Sequence, residues 1–420
     1  MLQPGGPQRE ERALIYDWNT VGRAPRRPRG PVELDDETLR DGLQSPSVLH
    51  PPVERRKELL HLMDALGING ANIGYPGAGR RALDDVAELA AEIGRSRLRV
   101  QPNCAGRTVP GDIDPIAEVQ QRSGVSMEAA IFMGSSPIRQ YAEGWDLDFL
   151  LRTTEEAVTL ALRHGLRVMY VTEDTTRARP RDLERLYTTA IECGASRVCV
   201  ADTVGHATPW GVRNVMTFVR RVVARTGRAV KVDWHGHRDR GLDLINALAA
   251  VEAGANRVHA CALGIGERVG NTPMDLLLVN LKLLGWIDRD LRALPAYCRV
   301  ASEATGMPIL CNYPVIGKDA FETSTGVHAA AIVKAFAKGH HWLANRVYSG
   351  VPAEEVGREQ VLTVGPMSGQ SNVTWCLRRL GVEPTPEVVD RVLAAAKACN
   401  RVLREDEIVA LLHMQAVAER

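Results

Sequence analysis

The sequence lacks the features that mark several large classes of protein. No apolar run is long enough to span a bilayer, and the first thirty residues, rich in arginine and proline, lack the apolar core of a secretion signal. The eight cysteines form no C-x-x-C pair, so we expect free, mostly buried thiols in a reducing compartment. The formal net charge is only +1, so electrostatics predicts no nucleic acid and no anionic membrane as partner. These absences favour a cytoplasmic protein.

The chain is long and apolar enough to bury a large core. It has 420 residues, of which 45% are hydrophobic, and this favours one large domain with an accessory one. Residues 1–30 include the stretch GRAPRRPRG. We expect these residues to form a poorly ordered or extended arm. A tether to a partner subunit is the alternative.

Residues 31–287 alternate between strand and helix patterns eight times. Eight such units in about 250 residues are typical of an α/β fold, the (β/α)8 TIM barrel. A doubly wound open sheet shares the alternation, but the count of eight and the absence of a G-x-G-x-x-G turn after the first strand favour the barrel. Residues 288–420 are expected to form a C-terminal, mainly helical region with an accessory or dimerisation role, with helices over 324–338, 386–403 and 405–420.

The stretch VKVDWHGHRDRG places His235 and His237 at the end of the seventh predicted strand. Residues i and i+2 of a strand share a face, so this spacing suits two ligands of a divalent metal, or simply two polar residues at a strand end. In a closed barrel the eighth strand pairs with the first, which brings Asp41 close to both histidines. Two nitrogens and one carboxylate make a plausible catalytic metal site.

Other polar residues follow the remaining predicted strands, where barrel enzymes carry out their chemistry. They are Arg40, Gln44, Asn72, Tyr75, Asn103, Arg107, Ser135, Ser136, Arg139, Thr172, Glu173, Asp174, Asp202, Thr203, His206, Asp239, Glu267, Arg268 and Asn271.

With these residues in view, the chain resembles the 2-isopropylmalate synthase and homocitrate synthase family of the DRE-TIM metallolyase superfamily. Five motifs carry the resemblance, and they occur in the expected order at the expected strand ends. They are DETLRDGLQ (36–44, resembling D-T-T-L-R-D-G-x-Q), TEDTTR (172–177, resembling S-x-E-D-x-x-R), DTVG (202–205), HGHRDRG (235–241, resembling H-x-H-N-D-x-G) and GIGERVGN (264–271, resembling G-I-G-E-R-x-G-N).

The resemblance implies an enzyme that condenses acetyl-CoA with a 2-oxo acid, giving a 2-substituted malate and CoA. Asp41, His235 and His237 would hold a divalent metal (Zn, Mn, Mg or Co), with Asn271 near its remaining position. Thr203 and Gln44 would bind the 2-oxo acid. Arg40 would stabilise the developing enolate and alkoxide charge.

Beyond the barrel, STGVH (324–328) and the segment from Tyr348 to Gly357 resemble two further family segments. In the family this region reaches over the partner subunit's barrel, so a homodimer is implied. His328 would then be the general acid/base, oriented by Glu173, with Tyr348 beside it. The chain ends after a short helical tail, so we expect no leucine control through a long C-terminal domain.

The sequence also departs from the family at several positions. Asn72 stands where the second strand normally carries a glutamate, and Arg80 and Arg81 follow it. These changes favour a more anionic 2-oxo acid bound by Asn72 and Arg80, unless the arginines are merely solvated residues at a helix start. Glu37 replaces a threonine, and Arg238 replaces an asparagine.

Two other functions stay open at this point. A 3-hydroxyacyl-CoA lyase or aldolase of the same superfamily is the first, although lyases of this type carry a cysteine in the loop after the eighth strand and stop near the end of the barrel. Residues 264–271 have no cysteine, and a long region follows them. A non-catalytic barrel is the second, and the intact set of charged residues argues against it.

Overall fold

Eight parallel strands close into a barrel in the order in which they occur along the chain. They are β1 (Glu33–Asp36), β2 (Gly70–Asn72), β3 (Gln101–Arg107), β4 (Glu128–Gly134), β5 (Arg167–Glu173), β6 (Arg197–Asp202), β7 (Lys231–Gly236) and β8 (Arg257–Ala260). Strand β8 pairs with β1, with Glu33 opposite Arg257 and Asp36 opposite Ala260. The predicted (β/α)8 TIM barrel is confirmed, and the doubly wound open sheet is excluded.

Helices follow the strands and pack around the barrel. They are α1 (Val53–Ala65), α2 (Arg80–Arg95), α3 (Pro110–Ser123), α4 (Pro137–Glu143), α5 (Leu147–Arg163), α6 (Pro180–Cys193), α7 (Pro209–Arg225), α8 (Asp243–Glu252), α9 (Met274–Leu283) and α10 (Leu294–Thr305). Several of them begin with proline, whose fixed φ and missing N–H suit the first helical position. The Ser136 side chain caps helix α4 by accepting a hydrogen bond from the Arg139 amide.

The outer face of the barrel packs against the helices through large apolar and aromatic side chains. Tyr170 on β5 and Tyr187 on α6 meet edge to face, with ring centroids 6.4 Å apart. Their hydroxyls are hydrogen-bonded, that of Tyr170 to Thr154 at 2.7 Å and that of Tyr187 to Thr172. Because both rings are fully buried, this contact fixes β5 against its helices.

The barrel interior near the amino ends of the strands is filled by charged side chains rather than the usual branched apolar ones. Arg257 donates to Asp233 at 2.7 Å and to Glu128 at 3.1 Å. Arg197 donates to the same Asp233 at 2.6 Å. We call these four residues, together with Asp35, the ionic layer. Gly70 makes room for it, since a Cβ there would lie 2.1 Å from Asp35 Oδ1.

An apolar cluster lies in the barrel interior as well. Ala130, Met169 and Cys199 are almost completely buried and pack together, with Val171 against them. Met169 also contacts the ionic layer, since its sulfur accepts a hydrogen bond from Arg257 at 3.1 Å.

The remaining described residues, from 309 onward, form a mainly helical unit. It contains α11 (Gly326–Ala337), α12 (His341–Ala344), α13 (Gln370–Arg379), α14 (Pro386–Ala398) and α15 (Glu405–Ala418), with two short paired strands, β9 (Glu322–Thr323) and β10 (Val361–Leu362). Helices α13 to α15 share a core that includes Val373, Val389 and Val392. The amphipathic patterns expected for this region are therefore used to pack its helices against one another.

The computed structural model describes residues 13–22, 27–28, 30–339 and 341–418. The described residues divide into two compact units, one within Trp18–Pro308 and the other containing those from Ile309 onward together with residues 13–17. Much of the predicted arm therefore lies outside the described residues. In the part of the chain that the structure describes, no helix is both long enough and apolar enough to cross a membrane.

Candidate active site

A cavity of about 270 Å³ opens at the carboxyl ends of the barrel strands. Its lining brings together most of the residues predicted from the sequence. These are Arg40, Asp41, Gln44, Asn72, Glu173, Thr203, His235 and His237. They lie at or just after the carboxyl ends of β1, β2, β5, β6 and β7, as expected for a barrel enzyme.

Asp41, His235 and His237 meet in one corner of this cavity, which we call the metal corner. His235 Nε2 lies 3.3 Å from His237 Nε2, and Asp41 Oδ2 lies 3.7 and 3.9 Å from these two nitrogens. Ligands bound at about 2.0–2.2 Å from one ion lie roughly 3–4 Å apart. The three donor atoms have this spacing, so the residues present fit a divalent metal.

The protonation of this corner also suits metal binding. Burial lowers the pKa of His235 to about 3, so the imidazole is neutral, which is its ligating form. Burial alone would raise the pKa of Asp41, but the positive charge of Arg40 lowers it below its ordinary value. The carboxylate is therefore ionised at neutral pH.

The glycine-rich loop after β8 supports the carboxylate of Asp41. Asn271 Nδ2 donates to Asp41 Oδ1 at 2.7 Å, which leaves Oδ2 for the metal corner. Gly266 has φ +155, and a Cβ at this position would lie 2.0 Å from Asn271 Nδ2. Only glycine permits this approach. Asn271, predicted near the metal, is thus placed as a residue that orients a ligand. Its own oxygen has no hydrogen-bond partner among the described residues.

A second group of potential ligands lies directly beside the first. Glu37, His235 and His259 also offer ligand atoms within 4.8 Å of one another. However, His259 lies 3.1 Å from Glu37 through Nδ1 and 3.1 Å from Asp233 through Nε2. Burial opposes its protonation, but the two carboxylates raise its pKa to about 9. A protonated imidazole has no lone pair for a metal, so the first group is the better candidate.

Arg40 lies between two buried carboxylates at the edge of the metal corner. One terminal nitrogen donates to Asp41 Oδ2 at 2.9 Å and the other to Glu37. Its Nε is buried and has no hydrogen-bond partner among the described residues. A fixed guanidinium with an unused N–H can stabilise negative charge that develops nearby.

Glu173 and Thr203 occupy neighbouring strand ends. Burial raises the pKa of Glu173, an effect that Arg139 partly offsets. The Thr203 hydroxyl accepts a hydrogen bond from the Asp174 amide at 2.8 Å. Asp174 has φ +59, an unusual conformation for a residue other than glycine, and such strain clusters at functional sites.

Asn72 is completely buried at the end of β2. Neither its amide nitrogen nor its amide oxygen has a partner among the described residues. Leaving such a group unpaired costs about 1–3 kcal/mol. An amide that lines a cavity in this state is ready to bind a polar ligand.

Four of the residues predicted for the site do not line this cavity: Asn271, which is described above, and Arg80, His328 and Tyr348. Arg80 is the first residue of α2, has a 74% exposed side chain, and pairs with Asp84 at 3.1 Å. His328 and Tyr348 belong to the second compact unit. Their rings stack with centroids 4.0 Å apart. The pairing of these two residues supports a shared role.

Sequence reasoning missed two charged residues in the lining. Glu37 was identified only as a departure from the family motif, and His259 was not singled out within the eighth predicted strand. Both line the cavity. The signal was present, since residues i and i+2 share a strand face. This places His259 on the same face as the buried Arg257.

The closed barrel and its charged cavity define a (β/α)8-barrel enzyme whose residues fit a divalent metal. The model of the HMGL-like family matches residues 31–297, and the chain belongs to this family. It is 34% identical to homocitrate synthase AksA of Methanopyrus kandleri over 370 residues, which is 87% of each chain. It is 31% identical to a probable 2-isopropylmalate synthase of the same organism, over 87% of this chain and 69% of the relative. The predicted family is therefore confirmed.

Solved structures support the fold. An HMG-CoA lyase of Bacillus subtilis matches with a TM-score of 0.56 and 21% identity, over 68% of this chain and 96% of the lyase. At this identity the likeness concerns the barrel fold alone.

Proposed function

We propose that the protein is an acyl-CoA:2-oxo acid C-acyltransferase that condenses acetyl-CoA with a 2-oxo acid to a 2-substituted malate and CoA. The observation that carries this proposal is the meeting of Arg40, the metal corner and Glu173 in one cavity. The similarity to homocitrate and 2-isopropylmalate synthases over most of the chain supports it. We place the enzyme in the cytoplasm, in amino-acid or related biosynthesis.

Asp41, His235 and His237 would hold the divalent metal, and Asn271 would orient the carboxylate of Asp41. A bound Zn, Mn, Mg or Co ion would supply Lewis acidity at the ketone oxygen of the 2-oxo acid. The thiols of Cys199 and Cys261 would take no part, since both are fully buried and burial raises the pKa of both.

The 2-oxo acid would lie between the metal corner and β2. Thr203 and Gln44 supply hydroxyl and amide groups for its carboxylate. The unpaired amide of Asn72 would receive its side chain. We leave Arg80 out of this set, because its exposed side chain is not part of the cavity lining.

In the reaction the methyl group of acetyl-CoA loses a proton, and the resulting enolate carbon forms a bond to the ketone carbon. The ketone oxygen takes up a proton to become a hydroxyl. Hydrolysis of the thioester then gives the carboxylate and CoA. Arg40 would stabilise the negative charge of the enolate and of the alkoxide. His328 would move the methyl proton, with Glu173 and Tyr348 as its orienting groups. From the family resemblance, His328 would act on the barrel of a partner subunit in a homodimer.

The test is thiol release from acetyl-CoA, followed with dithiobis-nitrobenzoate, across a panel of 2-oxo acids. The panel is 2-oxoisovalerate, 2-oxoglutarate, pyruvate, oxaloacetate, phenylpyruvate and phosphonopyruvate. We expect release with at least one of them, loss of release after chelation, and recovery when Mn, Mg, Zn or Co is returned. The His235→Ala variant should fail to recover.

A complete lack of metal-dependent release with the whole panel would contradict the proposal. Rapid cleavage of a 3-hydroxyacyl-CoA in place of condensation would assign the protein to the lyases instead. Unchanged metal content and activity in His235→Ala would remove the metal corner from the mechanism.

A further inference from the structure

A continuous chain of buried charges runs from Arg40 into the ionic layer. Arg40 pairs with Glu37, and Glu37 Oε1 lies 3.1 Å from His259 Nδ1. His259 Nε2 lies 3.1 Å from Asp233, which in turn accepts from Arg197 and Arg257. The signs alternate at every step. Each charge is therefore balanced by a neighbour of opposite sign.

This chain is almost completely shielded from water at the level of Glu37 and His259, which touch the cavity lining only at their edges. Glu37 and His259 are each 2% exposed, and Asp233 is 0% exposed. A buried carboxylate of this kind is stable only when it is paired and hydrogen-bonded. Burial alone would raise the pKa of Glu37, but the positive charges of Arg40 and His259 hold this pKa well below its ordinary value.

The geometry indicates that Glu37 acts on Arg40 and not on the metal corner. Glu37 Oε1 lies 4.0 Å from His235 Nδ1, which is too far for a hydrogen bond. Its Oε2 bonds directly to a terminal nitrogen of Arg40. Since Asp41 holds the other terminal nitrogen at 2.9 Å, the two carboxylates together fix the plane of the guanidinium.

We propose that Glu37, held in place by His259, is a positioning residue that fixes the Arg40 guanidinium for the condensation. This inference rests on the proposed function of Arg40. The family motif D-T-T-L-R-D-G-x-Q has a threonine at the position of Glu37, so the motif lacks this positioning carboxylate. In this protein, Arg40 is thus supported from inside the barrel by a strand β8 residue that does not touch it.

The first test is Glu37→Gln in the metal-loaded enzyme, which keeps the shape of the side chain but removes its charge. We expect kcat to fall about 10- to 100-fold, as for other residues that orient a reacting group. The KM values for acetyl-CoA and the 2-oxo acid should change less than about threefold, because the lost interaction acts in the transition state. His259→Gln should give the same pattern, and it serves if Glu37→Gln does not fold.

The second test is a double-mutant cycle. If Glu37 acts only through Arg40, then Glu37→Gln should cost little further activity in an Arg40→Lys background. Glu128→Gln is the matched control. It removes another buried carboxylate of the ionic layer, one that bonds to Arg257 instead of Arg40. It should lower Tm while leaving kcat within about twofold of wild type.

Three kinetic and binding results would overturn the inference. The first is an equal loss of kcat in Glu37→Gln and Glu128→Gln, and the second is full additivity of Glu37→Gln with Arg40→Lys. The third is a tenfold or greater loss of Co²⁺ affinity in Glu37→Gln, measured by visible absorption, because that loss would place the role of Glu37 at His235. Cobalt binding needs no turnover. A crystal structure of Glu37→Gln adds a second measurement of this kind, with Arg40 displaced if the inference holds and unmoved if it fails. Because neither the cobalt affinity nor the crystal structure depends on turnover, these two measurements distinguish failure of this inference from failure of the proposed reaction.

Discussion

At the scale of single residues, Asn72 is a polar side chain in the cavity with no bonding partner of its own among the described residues. The cavity lining also includes small residues such as Ala105 and Ala130. A 2-oxo acid whose side chain ends in a hydrogen-bonding group would satisfy the amide, whereas a purely aliphatic one would leave it unpaired. We therefore expect the choice of substrate to depend on this position.

Replacing Asn72 with leucine should shift the preference of the enzyme toward aliphatic 2-oxo acids. We expect the ratio of kcat/KM for oxaloacetate to that for 2-oxoisovalerate to fall about 10- to 100-fold, since one buried hydrogen bond of about 1–3 kcal/mol is lost. The ratio is measured in the thiol-release assay. Asn280→Ala is the control, because this amide bonds only to its own helix at Leu276. An unchanged ratio in Asn72→Leu would mean that Asn72 does not contact the substrate.

At the scale of secondary-structure elements, strand β8 contributes charged side chains to the barrel interior as well as backbone pairing to the sheet. It contributes Arg257 to the ionic layer and His259 to the chain that ends at Arg40. The sequence correctly predicted a buried strand over these residues, yet it did not show what the inward side chains would meet. Those partners come from β1, β4 and β7. Strand β7 precedes β8 in the chain, but β1 pairs with β8 only when the barrel closes, and Glu128 of β4 reaches Arg257 across the barrel interior.

The pairing of His259 predicts that the fold weakens at alkaline pH. The pKa of His259 is raised to about 9 by its two carboxylate neighbours, against an ordinary value of 6.5. A raised pKa means that the folded state holds the proton more tightly than the unfolded state. The stabilisation is therefore complete below pH 6.5 and is lost as pH rises through about 9. It should amount to about 3 kcal/mol.

This pH dependence can be measured by urea unfolding between pH 6 and 10. The free energy of unfolding of wild type should fall over the upper part of this range, and His259→Gln should be less stable at pH 6.5 with a flatter profile. His164→Gln is the control, since this surface histidine pairs with Asp114 outside the barrel interior. Parallel profiles for wild type and His259→Gln would show that His259 carries no proton in the fold.

At the scale of the whole molecule, the two compact units divide the proposed machinery. The metal corner and Arg40 belong to the barrel unit, whereas His328 and Tyr348 belong to the helical unit. A homodimer in which His328 of one subunit serves the barrel of another would unite them, and an active enzyme that is strictly monomeric in sedimentation would refute it.

Complementation tests this arrangement directly. His328→Ala and Asp41→Ala should each be inactive alone. When the two variants are coexpressed, about half of the dimers are mixed and each mixed dimer has one complete site, so about a quarter of wild-type activity should return. If His328 instead serves its own barrel, no site is complete and the mixture stays inactive. Coexpression of His328→Ala with His235→Ala provides a second pair with the same expectation.

The sequence by itself determined the barrel, the family and the metal corner. Strand and helix periods are local properties, and Asp41, His235 and His237 follow from strand order once the barrel is closed. Only the tertiary structure decided which other polar side chains enter the cavity. It left Arg80 on the surface, gave Asn72 no hydrogen-bond partner among the described residues, and joined Glu37 to His259. The physical reason is that these outcomes depend on side-chain direction and on partners from distant strands, which no local pattern records.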